Sequence, residues 1–98
     1  MNPWTLTNTA NIEPELFQEF SNLSKITLPE ITDPLFIKHI FDFMEHQNWS
    51  WFLSKQKENY VMTIDFNSEH EESVAVHTNL NSAVFLCCID ALFSLKDQ

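Results

Sequence analysis

From Asn81 to Leu95 the chain carries Ala83, Val84, Phe85, Leu86, Cys87, Cys88 and Ile89 in unbroken succession, and after Asp90 the run resumes with Ala91, Leu92, Phe93 and Leu95. A helix that is apolar nearly all round has to be covered on several sides, so this stretch is expected to be the central post of a small core. Asn79 or Asn81 can cap its first turn through a side-chain oxygen, and Lys96 suits the negative pole at the far end. A bilayer takes roughly 20 consecutive apolar residues to cross, and this run is shorter and contains Asp90. It reads as a core helix, and no membrane span is expected.

The rest of the chain must supply the cover. Residues 1–98 make one domain, with 1–10 a polar lead-in in which Trp4 stands among Thr and Asn. Nine Phe and three Trp give a chain of this length enough apolar bulk to close a core without metal or disulfide staples. The first helix is predicted to open between Asn11 and Pro14, with Glu13 and Glu15 at its positive pole and Leu16, Phe17, Phe20 and Leu23 on its inner face. Ser24 to Thr32 holds Ile26, Leu28 and Ile31 around Pro29, which predicts a connector packed on the body. Asp33-Pro34 pairs an N-cap acceptor with a ring pre-set for the first helical position, and predicts a second helix running to about Gln47. Leu35, Phe36, Ile37, Ile40, Phe41, Phe43 and Met44 leave that helix only a narrow polar stripe of Lys38, His39, Asp42, Glu45 and His46.

From Trp49 the period changes to two. Trp49, Trp51 and Leu53 alternate with Ser50, Phe52 and Ser54, and Tyr60, Met62, Ile64 and Phe66 alternate with Val61, Thr63 and Asp65, so two antiparallel strands are predicted around a polar connection from Lys55 to Asn59. After an acidic turn at Glu69, His70, Glu71 and Glu72, Ser73 to Thr78 reads as a third strand. The expected fold is α+β, a three-stranded antiparallel meander packed with two N-terminal helices and one C-terminal helix in the order α-α-β-β-β-α.

Charge narrows the function. Fourteen acids stand against five lysines and no arginine, a formal charge of -9. Such a surface repels nucleic-acid phosphates and favours a basic protein or nucleoprotein complex as partner, although acidity also serves solubility alone. The absence of glycine removes the residues that phosphate loops and dinucleotide fingerprints need for positive φ and close backbone approach, which excludes the familiar nucleotide-binding enzymes. Cys87 and Cys88 are adjacent and point about 100° apart on a helix, a geometry unsuited to a mutual disulfide. They are expected to be small buried apolar residues in a reducing compartment, and Met1 to Ala10 has neither the basic region nor the apolar run of a signal peptide, so the expected location is cytoplasmic.

An aromatic hairpin, a brief strand and then a helix reading Asn81-Ser82-Ala83-Val84-Phe85-Leu86-Cys87-Cys88-Ile89-Asp90-Ala91-Leu92 make up a layout that resembles small bacteriophage and prophage proteins of the phage ABA sandwich type. The resemblance spans Trp49 to Leu95; it implies a phage or mobile-element origin and carries no catalytic residues. In size and acidity the chain is also similar to phage-encoded inhibitors of bacterial defence, anti-CRISPR proteins among them, and to immunity proteins that neutralise basic nucleases.

Few residues are placed for chemistry. His39 and His46 are seven positions apart, about 10.5 Å along a helix axis, too far to share one ion with Asp42, and Lys38 is four positions from Asp42 as in a surface ion pair. The Glu69 to Glu72 turn with His70 lacks the alternating oxygen ligands and turn glycine of a calcium loop. A nucleophilic Cys87 or Cys88 served by His77 would need an exposed, electropositive setting, which an apolar run among acids does not offer. No catalytic residue, metal or cofactor is therefore expected. Trp51 and Phe52 face opposite ways on one strand, so a large aromatic is left exposed unless both sheet faces are covered, and aromatics beside acids make an anchor for a protein partner. The expected contact residues are Trp51, Phe52, Glu58, Asp65, Glu69, Glu71 and Glu72. The reading is a non-enzymatic inhibitor of a basic nucleic-acid-processing complex, by nucleic-acid mimicry if its acids fall at phosphate-like spacing; the alternative is a small subunit or immunity-type protein of a basic partner. Monomer and homodimer both remain open.

Overall fold

In a computed structural model, which describes residues 12–66 and 71–96, the apolar run forms a helix over Leu80–Lys96. We call it α3. It follows α1 (Pro14–Ser24), α2 (Phe36–His46), β1 (Ser50–Gln56), β2 (Asn59–Asp65) and β3 (Glu72–His77), so the order is α-α-β-β-β-α. The strands form an antiparallel sheet in the order β1-β2-β3. The fold is α+β as expected. The lead-in at 1–10, with Trp4, lies outside the described residues, as do Glu69 and His70. No described helix is long and apolar enough to cross a membrane.

Local chemistry sets the ends of the helices. The Asn79 Oδ1 accepts the N–H of Ser82 at 3.0 Å, so of the two candidate caps it is Asn79 that closes the first turn of α3. Asn81 turns the other way and donates from Nδ2 to the Ile31 carbonyl at 2.7 Å, which ties the connector between α1 and α2 to the start of α3. Ile26, Leu28 and Ile31 of that connector pack on the core. α2 begins two residues later than the Asp33-Pro34 signal predicts. The Asp33 carboxylate accepts the Leu35 N–H at 2.8 Å and its carbonyl accepts the Phe36 N–H at 3.0 Å, closing a local turn ahead of the helix.

The hairpin is tighter than the polar Lys55 to Asn59 stretch predicts. Gln56 pairs with Asn59, which leaves only Lys57 and Glu58 as the loop. Without glycine, left-handed backbone falls to other residues: Lys57 at φ 58°, Asn48 at 59° after α2, and Lys25 at 66° after α1. At Lys25 the N–H reaches back to the Ser21 carbonyl at 2.9 Å, a helix-ending turn normally given to glycine.

The core is built around α3, in which every residue from Ser82 to Ile89 is buried. Phe85 sits in a nest of rings, 4.6 Å from Phe17, 5.5 Å from Phe20 and 6.0 Å from Phe36 between centroids. Two residues on, and so roughly 200° round the helix, Cys87 meets the sheet. Its Sγ lies 3.0 Å from the Ser73 carbonyl and 3.3 Å from that of Met62. Register fixes which side of the sheet this is. Trp51 pairs with Ile64 and Ile64 with Ser73, and Leu53 pairs with Met62 and Met62 with Ala75, so these rows face the helices.

Truncating the ring at the centre of the nest, Phe85→Ala, is expected to lower the unfolding free energy by about 3–5 kcal/mol, most of the stability of a domain this small, as read by urea unfolding. Lys25→Gly relieves a left-handed residue at a helix end and is expected to raise the urea midpoint, by up to about 1 kcal/mol of stability. A lowered midpoint would show that the lysine side chain contributes more there than its backbone conformation costs.

Candidate functional site

The other face of the sheet carries Phe52, Thr63 and Val74 in one row and Ser54, Val61 and Val76 in the next. The described helices pack on the opposite face, and Phe52 is left 68% exposed. Two residues along β1 from Phe52, about 7 Å, comes the row Ser50, Asp65, Glu72. Asp65 and Glu72 are direct cross-strand partners, and Glu71 adjoins them, its carbonyl accepting the Phe66 N–H at 3.2 Å where β2 and β3 leave the sheet. An exposed aromatic, a β-branched platform and the carboxylates of Asp65 and Glu72 thus share one end of one surface, while Glu71, one position from Glu72, is out of phase with them.

The predicted contact residues divide on this geometry. Phe52, Asp65 and Glu72 come together on one face, and Glu71 lies at the same end of the sheet but out of phase with them. Trp51 lies on the helix-facing side near the sheet edge, stacked on Phe41 at 4.6 Å with 23° between planes, and remains 47% exposed. Glu58 is in the hairpin loop at the far end of β2, about 20 Å from Asp65 along the strand, and does not join the acidic end. Glu69 lies outside the described residues. Val61, Thr63, Val74 and Val76 complete the platform and were not singled out from sequence. Their signal was there: β-branched residues at the strand positions out of phase with the core.

Among the described residues, those suited to catalysis are dispersed. The His77 Nδ1 accepts the Asn79 N–H at 2.9 Å in the turn between β3 and α3. Cys87 packs against Ser73, whose single O–H is shared between two acceptors, the Cys87 carbonyl at 2.8 Å and the Asp90 carboxylate at 2.7 Å. Burial pushes the Cys87 thiol up to about 12, Asp90 adds to the rise, and the Ser73 hydrogen bond partly opposes it. Burial and the neighbouring Cys87 hold the Cys88 thiol well above its ordinary value as well. Both cysteines are free and buried, the opposite of a reactive setting.

On α2, Lys38 and Asp42 form an exposed ion pair at 2.8 Å. Their shared hydrogen bond holds Lys38 above and Asp42 below the usual range. His39, Asp42 and His46 border a shallow hollow with Lys25, and among the described residues no group of three or more His, Cys, Asp or Glu could hold a metal ion. Another concavity, about 450 Å³, runs between Phe17 and Ser21 of α1 and the Leu28 to Thr32 connector, and among the described residues Glu30 is the one ionisable group lining it. Compared with known proteins, the chain matches no family model, no curated protein and no solved structure.

A neutral Cys87 in the folded state and an ionisable one in the unfolded state link stability to pH. The contribution is fully present below the unfolded thiol value of about 9.0 and is lost as pH rises from there through about 12. Urea unfolding on the alkaline side of that lower limit is expected to show stability falling with a smaller slope in Cys87→Ala than in the parent chain. Equal slopes would mean that the buried thiol is not the linked group.

Proposed function

We propose that this chain is a non-enzymatic binding protein that docks on a basic protein or nucleoprotein surface of a nucleic-acid-processing complex and obstructs it, in the manner of a phage- or mobile-element-encoded inhibitor. The observation that carries the reading is Phe52, 68% exposed on an open sheet face and about 7 Å from the row of Asp65 and Glu72. Long-range attraction from a chain of net charge -9 steers a basic partner, and the aromatic supplies the desolvated contact that holds it. Proteins whose exposed surfaces are strongly basic are largely those that hold nucleic acid, which directs the choice of partner class. The two buried thiols suit a reducing cytoplasm.

Within this reading an aromatic-anchored interface is favoured over nucleic-acid mimicry. Mimicry calls for carboxylates in an evenly spaced file, whereas Asp65 and Glu72 sit across from each other at one end of the sheet and Glu58 at the other.

The test is affinity capture from a bacterial lysate against a charge-matched acidic control, followed by titration of the recovered partner with purified variants. One basic nucleic-acid-processing complex should be enriched over the control. Phe52→Ala is expected to weaken its binding by roughly 30-fold or more, the size of an interface hot spot, while retaining the fold. Asp65→Asn with Glu72→Gln should mainly slow association and flatten its salt dependence. Full retention by Phe52→Ala, together with loss of binding in high salt, would transfer the interaction to charge alone. Recovery of nothing beyond the control would count against the partner class.

A further inference from the structure

β1 is an edge strand of an unusual kind. Among the described residues nothing pairs with its outer side, and of the devices that usually blunt an edge it carries only one lysine. Its seven residues contain no proline, its register with β2 runs without a bulge from Ser50 to Gln56, and its sole charge is Lys55 near the hairpin. It is also the one described strand without an acid, in a chain where acids outnumber bases 14 to 5. The two most exposed aromatics of the core and sheet, Trp51 and Phe52, both belong to it.

The hairpin dictates which backbone groups are free. A two-residue loop is closed by a pair that exchanges both hydrogen bonds, here Gln56 with Asn59. Alternation then directs the N–H and C=O of Ser54, Phe52 and Ser50 toward β2, and those of Lys55, Leu53 and Trp51 outward. From these facts we propose that β1 pairs antiparallel with β1 of a second copy of this chain about a two-fold axis through Leu53, making one continuous sheet.

The strand is self-complementary in that register. Leu53 lies opposite its own copy and Trp51 opposite Lys55, each pair exchanging two backbone bonds from groups that already face outward. On the helix-facing side Lys55, now 5.2 Å over the Tyr60 ring, meets the indole of the other copy's Trp51, which Phe41 holds in place by stacking. On the open side Phe52 lies opposite Ser54 and diagonal to the second Phe52, within reach of an aromatic side chain. No carboxylate is brought against another along β1 itself, because the strand contains none. Pairing elsewhere would meet acids, since β3 begins with Glu72 and follows Glu71. The inference stands apart from any outside partner, although it would place two open faces side by side.

Sedimentation of the full chain at micromolar to submillimolar concentration tests it. The expected species is a reversible dimer of twice 11.5 kDa whose population rises with salt, since screening relieves repulsion between two copies of charge -9. Binding to a basic partner shifts the opposite way with salt, so the two readings fail independently. Lys55→Pro removes an outward N–H while leaving the bonds to β2, and is expected to weaken self-association about tenfold or more. Phe52→Glu, at an exposed position, sets like charges across the two-fold and should do the same; circular dichroism checks that both variants fold. A parent chain that remains monomeric throughout, or a dimer indifferent to both variants, overturns the proposal.

Discussion

Everything in this fold follows from the need to cover α3 on two sides. Phe85 and Cys87, two residues apart and so on opposite flanks, mark the division: rings from α1 and α2 close round the first, and the inner sheet face closes over the second. The sheet therefore has one face committed to α3. Since α1 and α2 are both used on the far flank of the same helix, no described helix is left for the outer face. The open platform of Phe52, Thr63 and Val74 is a consequence of how the apolar run is covered, and the candidate site inherits its position from the core.

One polar cluster interrupts that packing and holds it in register. Ser73, on the inner face of β3, shares its one O–H between the Cys87 carbonyl and the Asp90 carboxylate, so the one acid inside the apolar run is met where the helix crosses the sheet. A buried hydroxyl left without such partners would cost about 1–3 kcal/mol, and with them it favours one axial placement of α3 over its neighbours. The same cluster faces the Cys87 thiol, which burial keeps neutral while the Ser73 hydrogen bond opposes that rise and Asp90 adds to it. Polar groups that would suggest reactivity in isolation are here part of the packing.

Much of this was legible in the chain, for identifiable reasons. The α3 run is nearly uniform in hydropathy over four turns, and the change of period after Trp49 separates helix from strand, so element type and order could be read directly. The boundaries moved where short-range hydrogen bonds compete with propensity. Asp33 spends its carboxylate on the Leu35 N–H and delays α2, and Lys57 takes a left-handed conformation that shortens the hairpin loop to two residues. The candidate site was legible only in part because it depends on register. Nothing local to Asp65 announces Glu72 as its partner, since that pairing is set by the register of β2 with β3. The separation of Glu58 could have been read, since a residue in the connection between two strands lies at the opposite end from the one that closes the second strand.

Among the described residues the side chains suited to chemistry lie apart, and those suited to contact lie together. A catalytic centre needs a nucleophile or base, its orienting partner and a stabilising donor within a few ångströms of one point. Here Cys87 lies between α3 and the sheet, His77 accepts a bond from the Asn79 N–H in a turn, and His39 and His46 flank an ion pair on the outer side of α2. What does converge is of a different kind: apolar platform, exposed ring and carboxylates on one face, with an edge strand free of acids and proline at its border. Pairing of β1 across a two-fold would join two such faces, put both Phe52 rings near the axis and carry each Asp65–Glu72 row toward opposite corners. An aromatic centre with acids at its margins is the arrangement in which the charges guide encounter and the rings determine how long the complex lasts.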